Sequence, residues 1–345
     1  MTEPVSGEAV SPTEREPRPT GFARRGLNAA ALLSRGGVPI VLAVLFVVFS
    51  VTLPNTFPTF SNVSAMLAST SVLIVLALAL TIPLRAGDFD LSIAANMGFT
   101  AAIVAVLTVN HHQSLPVAIL AAIAAGVGIG ALNGTLVVGA GLNAFIVTLG
   151  MLTVLSGLTY AITNGQVVLN LPQDLQSFWR YDFLGLQAAV WFGWGLALVL
   201  LYFFEGTPLG RYLLFVGGNR DAALLSGLPV RALRFGSFVV AGFLSAVAGI
   251  ILAGTLGAVD PTVGSAYLLP PYTAAFLGTT TILVGRFNVV GTVIGLYLVT
   301  VGITGLELHG VASWIGDVFN GGILIVAVLF AQLGSKLTGH IRRRQ

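Results

Sequence analysis

The stretch VSAMLASTSVLIVLALALTIPL, residues 63–84, contains no charged side chain and is long enough for one helix to cross a bilayer. Similar apolar runs follow one another along the rest of the chain, so no soluble domain fits between them. We therefore predict an all-α integral membrane protein with about ten transmembrane helices. The predicted spans are residues 38–54, 63–84, 91–109, 115–138, 144–163, 183–204, 234–257, 266–284, 288–307 and 312–333.

The amino-acid composition supports a membrane protein. Charged residues make up 8% of the chain and hydrophobic residues 56%, whereas soluble domains average about 25% and 45–50%. The chain has no Cys, which excludes disulfides, a thiolate nucleophile and a thiolate metal site. The four His residues form no metal-binding pattern.

Basic residues give the predicted orientation. Of the sixteen Lys and Arg residues, only Arg180 falls in a predicted outer loop, which places both termini in the cytoplasm. Residues 1–35 are rich in Pro and charge and are predicted to form a disordered cytoplasmic tail. Residues 36–334 form the transmembrane domain, with a long inner loop at 205–233, and residues 335–345 form a basic cytoplasmic tail. The net charge of +3 therefore reflects topology and does not indicate nucleic-acid binding.

The inner loop contains a well-delimited short helix. Asn219 can cap its start, Asp221 suits its first turn, Gly227 can take the left-handed exit, and Pro229 prevents continuation. An ordinary solvated loop helix is the alternative interpretation of this pattern.

Several short motifs carry a resemblance to a known family. They occur in the family's order over about residues 60–332: Gly87-Asp88-Phe89-Asp90-Leu91-Ser92, Asn133-Gly134, Ala144 to Met151, Thr163-Asn164-Gly165, Gly210-Arg211-Tyr212, Gly217-Gly218-Asn219 with Ala222-Ala223 and Ser226-Gly227, Pro261 to Gly264, and Val290 to Gly295. The chain resembles carbohydrate ABC importer permeases of the ribose, galactose, arabinose and xylose type, within the branched-chain amino acid/sugar permease superfamily. The resemblance implies a type II importer-like fold in a bacterial plasma membrane.

The resemblance also implies the partners and the coupling residues. In such importers a cytoplasmic segment docks into a groove on the ATPase subunit; here its residues would be Gly217, Gly218, Asn219, Arg220, Asp221, Ala222, Ala223, Ser226 and Gly227. The implied partners are two cytoplasmic ATPases, an extracytoplasmic solute-binding protein, a second permease copy that is identical or similar, and membrane lipid. The only Lys is Lys336 and no P-loop motif occurs, so ATP would be bound by the partner subunit and this chain would carry no cofactor and catalyse no reaction.

Two stretches of the chain match each other. Gly87 to Ala95 aligns with Gly257 to Ser265, and a Gly-x-x-x-Gly pair follows in each half, Gly126 with Gly130 and Gly291 with Gly295. The two Asp motifs fall on opposite sides of the predicted membrane, which indicates an inverted repeat of helices 2–5 and 7–10. Chance similarity between sequences rich in Gly, Ala and Val is the alternative.

The same motifs and the polar residues inside spans supply candidates for the translocation pathway and its gates. The candidates are Asp88, Asp90, Ser92, Asp260 and Thr262 in the paired motifs, Asn96, Asn133, Asn143, Thr148 and Asn164 as pathway groups, and Phe145 and Phe276 as apolar constrictions. Structural alternatives exist for each kind. Helix capping is preferred for Asp260, an inner-face salt bridge with Arg85 explains Asp88 equally well, and interhelical hydrogen bonding is expected for at least half of the Asn and Thr residues.

The sequence thus predicts the permease subunit of an ATP-driven bacterial importer for a sugar or related polyol. A permease of the same architecture for branched-chain amino acids or nucleosides is one alternative. A self-contained secondary carrier is another, although no intramembrane acidic relay is evident. An intramembrane enzyme would need convergent catalytic groups that the sequence does not indicate, and a membrane scaffold would leave the mirrored motifs unexplained.

Overall fold

The structure is a computed structural model that describes the backbone of residues 21–342 and the side chains of residues 36–330. The described part is almost entirely helical. Its helices are α1 (Gly21–Thr52), α2 (Phe60–Arg85), α3 (Ile93–Ala105), α4 (Leu115–Gly134), α5 (Ala144–Ile162), α6 (Gln173–Arg180), α7 (Ala188–Gly206), α8 (Pro208–Gly218), α9 (Arg220–Leu225), α10 (Val230–Leu256), α11 (Val263–Ala266), α12 (Leu269–Gly278), α13 (Val289–Leu308) and α14 (Trp314–Arg342). Two short strands, β1 (Asp182–Phe183) and β2 (Leu186–Gln187), pair antiparallel.

Seven helices in the described part are long and apolar enough to cross a membrane. They are α2, α5, α7, α10, α13, and α3 and α4 together with the π-helical turns that extend them, Val106–Asn110 and Thr135–Gly139. The apolar parts of α1 and α14, Gly36–Thr52 and Trp314–Phe330, are shorter. The chain is therefore an all-α, multi-pass membrane protein, as predicted. Helix α1 starts at Gly21, so residues 21–35 of the predicted tail are helical, and residues 1–20 lie outside the described part.

The predicted continuous helix at 266–284 is wrong. Two short helices, α11 and α12, occupy the region, and α12 is only 10 residues long. Its start is fixed by Pro270 and Pro271, since proline suits the first helical turn and disfavours a helix running through it. After Gly278 the helix ends, and the Asn288 side chain donates to the Gly278 carbonyl at 2.9 Å. The backbone groups released by the break are thus satisfied inside the protein, as the bilayer requires.

Helices α2, α3 and α10 form the buried centre of the bundle. Nearly every residue of α2 from Thr70 to Arg85 is buried, and α10 packs against α2, α3 and α4. Helix α5, by contrast, is mostly exposed along its length. It therefore offers a surface to lipid or to another chain.

Both Gly-x-x-x-Gly pairs allow close helix packing, as predicted. Gly126 and Gly130 of α4 face Gly242 of α10, whose added Cβ would lie 3.0 Å from the Gly130 Cα. Gly291 of α13 faces Gly278 of α12, and a Cβ added to Gly291 would lie 2.9 Å from the Gly278 Cα. The two pairs pack against helices that do not correspond in the proposed repeat. Close packing at these glycines is therefore not by itself evidence for the inverted repeat.

We expect Gly130→Ala to destabilise the protein. A methyl group there would collide with the Phe238 carbonyl of α10, and overpacking of this kind costs roughly 1–3 kcal/mol. The matched control is Gly128→Ala on the same helix, because nothing lies within 4 Å of a Cβ at that position. Thermal unfolding in detergent measures the difference. Equal transition temperatures for the two variants would contradict the packing role assigned to Gly130.

Candidate functional site

The first Asp motif forms a buried turn between α2 and α3. Gly87 takes the left-handed conformation at φ +79°, and one carboxylate oxygen of Asp90 accepts hydrogen bonds from the Ser92 amide at 3.0 Å and the Ser92 hydroxyl at 2.6 Å. The Asn133 side chain of α4 donates to the Ser92 hydroxyl at 2.8 Å. The Leu91 amide donates to the Thr148 hydroxyl of α5 at 3.1 Å. We name residues Gly87–Ser92 the inner turn; it is fastened to both α4 and α5.

The second Asp motif, residues Gly257–Thr262, repeats this local geometry and is named the outer turn. Gly257 has φ +71°, and one carboxylate oxygen of Asp260 accepts from the Thr262 amide at 2.7 Å and the Thr262 hydroxyl at 2.6 Å. The capping interpretation preferred for Asp260 agrees with these bonds. Helix α11 follows this turn as α3 follows the inner turn.

Solvent exposure distinguishes the two carboxylates. Burial raises the pKa of Asp90 to about 6 although Ser92 donates two hydrogen bonds to it. The pKa of Asp260 is instead lowered, chiefly by the hydrogen bonds from Thr262. Asp260 is exposed, so its carboxylate keeps most of its solvation and burial raises its pKa only a little. The inner turn therefore holds its carboxylate in the less polar environment.

Asp88 is held by two arginines from distant parts of the chain. Arg234 of α10 contacts both carboxylate oxygens, at 2.7 Å and 2.8 Å, and Arg220 of α9 donates at 2.8 Å. Arg220 also donates to the Gly87 carbonyl at 2.9 Å. The Asp88 side chain is only 3% exposed, so its charge is compensated almost entirely by protein groups.

The salt bridge between Asp88 and Arg85, given above as the alternative explanation of Asp88, does not form. Arg85 instead contacts Glu205 at the end of α7, at 3.3 Å, and its guanidinium carbon lies 4.4 Å from the centroid of the Phe204 ring. The left-handed Gly87 turns the chain between the two residues. Arg85 and Asp88, which are only three residues apart, therefore form ion pairs with different residues.

The short inner-loop helix has the predicted start and end. Asn219 caps α9 by accepting from the Ala222 amide at 3.0 Å, and Gly227 takes φ +75° beyond its end. Ala223 is fully buried against Val216 and Val230, whereas Leu225 is 91% exposed. Residues 217–229, which include the predicted coupling residues, are named the coupling segment; it is anchored on one side and exposes an apolar residue on the other.

Gly217 brings the coupling segment against the inner turn. A Cβ at this position would collide with the Arg85 carbonyl, and one on Gly87 would lie 3.2 Å from the Gly217 Cα. Gly218 and Ser226 are exposed. Asp221 lies in the first turn of α9, next to Arg220. The predicted coupling residues thus form one continuous element that contacts the inner turn.

The polar candidates have several structural roles. Asn96 bridges three helices, because its side chain lies 3.4 Å from both the Gly126 carbonyl of α4 and the Gly242 carbonyl of α10. Asn143 caps α5, and Asn164 takes φ +52° in the turn after it. The expectation of interhelical hydrogen bonds is therefore confirmed for Asn96, as it is for Asn133. A role of these residues in a pathway stays a prediction.

The two predicted constriction residues, Phe145 and Phe276, do not contact each other as rings, and their role as constrictions stays a prediction. Phe276 of α12 stacks on Phe89 of the inner turn, with ring centroids 6.3 Å apart, and packs edge-on against Phe287. Phe145 is half exposed at the start of α5 and is not in this stack. Sequence reasoning missed Phe89, although it lies inside the Asp88-Phe89-Asp90 motif. It also missed Arg234, whose pairing with Asp88 has no local sequence signal.

A cleft of about 810 Å³ joins these elements and is named the inner cleft. Its walls are the inner turn, the connection between α4 and α5, and the coupling segment. The candidates on its lining are Asp88, Asn143, Phe145, Arg220 and Asp221. Asp90, Ser92, Asn133 and Thr148 form a separate buried cluster behind this wall, and Asp260 and Thr262 belong to the outer turn.

A multi-pass helical bundle with two broken-helix turns and a docked loop helix has the features of a membrane transport protein. The family described as the branched-chain amino acid transport system permease component matches residues 62–328, and the chain belongs to this family. The predicted resemblance is thereby confirmed.

Named relatives match nearly the whole chain. It is 30% identical to the L-arabinose ABC transporter permease protein of Azospirillum brasilense, over 94% of this chain and 96% of the relative. It is 33% identical to the ribose import permease protein of Escherichia coli K12, over 89% and 96%. The D-allose transport system permease protein of the same strain is 26% identical over 91% and 96%. No solved structure matches the chain.

Proposed function

We propose that this chain is the permease subunit of a bacterial ATP-binding-cassette importer that moves a sugar or related polyol across the plasma membrane. The family description names branched-chain amino acids, but the relatives quoted above are named for arabinose, ribose and allose. The relatives therefore favour the sugar over the amino-acid alternative. A separate subunit would bind and hydrolyse the ATP.

The coupling segment is the observation that carries the proposal. A six-residue helix is too short to be stable alone, yet α9 is capped at its start, anchored through Ala223 and fastened to the inner turn through Arg220. Leu224 lines the inner cleft, whereas Leu225 lies outside that cleft and is 91% exposed. A rigid element with an exposed leucine suits docking into a groove on a cytoplasmic ATPase.

Motion of the coupling segment would reach the inner turn through Asp88. When the ATPases close on ATP, a displaced α9 would carry Arg220 with it, and Arg220 contacts both Asp88 and the Gly87 carbonyl. Arg234 ties the same carboxylate to the start of α10. Phe89 follows Asp88 directly, so displacement of the turn would change its stacking on Phe276. The aromatic pair would thereby act as a gate.

The pathway would run along the exposed surface of α5, between two permease copies. Thr153 and Ser156 are exposed on this helix together with the apolar residues Ile146 and Val154. Polar side chains inside a span normally face protein or water and not lipid. A second copy would cover the apolar residues and leave a passage lined with hydroxyl groups.

The remaining parts of the proposal concern topology and partners. Ten crossings with both termini in the cytoplasm, related as an inverted repeat, would place the inner turn at the cytoplasmic side and the outer turn at the extracytoplasmic side. The alike hydrogen bonds of Asp90 and Asp260 support this symmetry. An extracytoplasmic solute-binding protein would deliver the sugar to the outer side.

Co-purification tests the assignment. The chain is isolated from its native membrane in mild detergent, and we expect a P-loop ATPase and a secreted solute-binding protein to copurify. The receptor is then used in competition binding with sugars, branched-chain amino acids and nucleosides. Recovery of the chain alone, with uptake after reconstitution that collapses with an ionophore, would overturn the proposal in favour of a secondary carrier.

A further inference from the structure

A second, smaller pocket lies at the end of α5 away from the inner cleft. Its volume is about 210 Å³, which corresponds to about seven water molecules at about 30 Å³ each. The lining residues come from α3, α5 and the outer turn with α11: Ala95, Gly98, Ser156, Thr159, Tyr160, Pro261, Thr262, Gly264 and Ser265. We name it the outer pocket.

Hydroxyl groups supply the polar chemistry of the outer pocket. Five of its nine lining residues carry a hydroxyl, and four of these hydroxyls already donate their proton. Ser156 donates to the Leu152 carbonyl at 2.9 Å and Thr159 to the Leu155 carbonyl at 2.7 Å. Thr262 donates to Asp260, and Ser265 donates to the Thr262 carbonyl at 2.8 Å.

This hydrogen bonding determines which ligand groups the outer pocket can bind. A hydroxyl that donates its proton within the protein can still accept a hydrogen bond through its oxygen lone pairs. These four groups can therefore accept hydrogen bonds from the hydroxyl groups of a ligand. No Lys or Arg belongs to the lining, and the carboxylate of Asp260 lies beside it through Thr262. A ligand with several hydroxyls and no negative charge fits, whereas a ligand carboxylate would lack a positively charged partner.

Small residues leave the space for the ligand. Ala95, Gly98 and Gly264 have a small side chain or none. The backbones of Gly98 and Gly264 lie so close that a Cβ added to Gly98 would be 3.3 Å from the Gly264 Cα. Helix α11 is thereby held directly against α3. The pocket is formed by this contact together with the exposed edge of α5.

We propose that the outer pocket is a binding site for one neutral monosaccharide on the outer side of the permease. The inference rests on the proposed importer function and adds to it a location and a ligand class. Each end of α5 then borders a cavity, and each cavity is bounded by one of the two Asp turns. A sugar leaving the receptor would pass from the outer pocket along α5 to the inner cleft.

The absence of Cys from the chain makes a direct test possible. Ser156→Cys and Ser265→Cys are introduced singly into the assembled importer in proteoliposomes, and labelling by a membrane-impermeant methanethiosulfonate is timed with D-ribose, L-arabinose or L-leucine present. A sugar at three times its half-protecting concentration should slow labelling about fourfold. L-leucine should not protect. Ser177→Cys, on the exposed surface of α6 and outside the pocket, should label at the same rate throughout.

Two further variants keep the test independent of misfolding. Adding Thr159→Val to Ser265→Cys keeps the shape but removes one acceptor, and should raise the half-protecting sugar concentration about fivefold. Ser265→Phe should fill the pocket and lower sugar uptake while the ATPase still copurifies. Labelling that neither sugar slows, in an importer that still takes up the sugar, would overturn the pocket and leave the proposed function standing. Protection by L-leucine alone would overturn the sugar assignment of the pocket.

Discussion

Replacing Arg220 by Ala is expected to separate ATP hydrolysis from sugar uptake. Arg220 contacts Asp88 and the Gly87 carbonyl from the first residue of α9, so its removal releases the coupling segment from the inner turn. The ATPase should still copurify, because the exposed leucines of α9 are unchanged. Uptake in proteoliposomes should fall at least about tenfold, equivalent to 1.4 kcal/mol of lost coupling, while hydrolysis continues.

The choice of Arg220 avoids the instability expected from removing Asp88. Loss of one partner of a buried ion pair costs about 3–5 kcal/mol, whereas the Arg220 side chain is 42% exposed and Arg234 remains on Asp88 after its removal. Arg220→Lys should retain part of the uptake because it keeps a charged donor. Arg211→Ala, at an exposed arginine of α8, is the matched control. Equal losses of uptake and hydrolysis in Arg220→Ala would instead indicate a docking or folding role.

The predictable features of this protein are those coded by neighbouring residues. The cap at Asn219, the left-handed Gly227 and the Asp turns involve groups no more than three residues apart along the chain or a single dihedral angle. The seven long spans follow from apolar length alone. These features can be predicted because each depends on the geometry of one segment and on its length relative to the bilayer, and not on contacts with distant segments.

Features that depend on distant segments escaped prediction. Asp88 lies three residues from Arg85 yet pairs with Arg220 and Arg234, more than a hundred positions away. The apolar run at 266–284 looked like a span because hydropathy does not distinguish lipid contact from protein contact. In the fold, Pro270, Pro271 and the Asn288 bond to Gly278 limit it to a short helix surrounded by other elements. Sequence pattern cannot supply such partners.

Replacing Leu225 by Asp is expected to abolish assembly with the ATPase. Leu225 is 91% exposed at the end of α9, so the permease gains no packing from it and should fold normally with Asp in its place. In a docked complex, the leucine would bury an apolar side chain worth about 1.5–3 kcal/mol. An aspartate would lose that gain and bring a carboxylate that is costly to desolvate. Copurification of the ATPase and ATP-driven uptake should therefore be lost together.

Leu184→Asp is the matched control for this variant. Leu184 is 74% exposed between the two short strands, with φ +55°, a conformation that Asp tolerates well. It lies at the outer end of the predicted span 183–204, far from the coupling segment, so the same substitution there should leave ATPase binding intact. Thermal unfolding should be unchanged in both variants. An ATPase that still binds the Leu225→Asp permease at wild-type affinity would show that α9 does not enter the groove through its exposed leucines. Because Arg220→Ala is expected to retain the ATPase and Leu225→Asp to lose it, the two results together would assign transmission to the first residue and docking to the last residue of one six-residue helix.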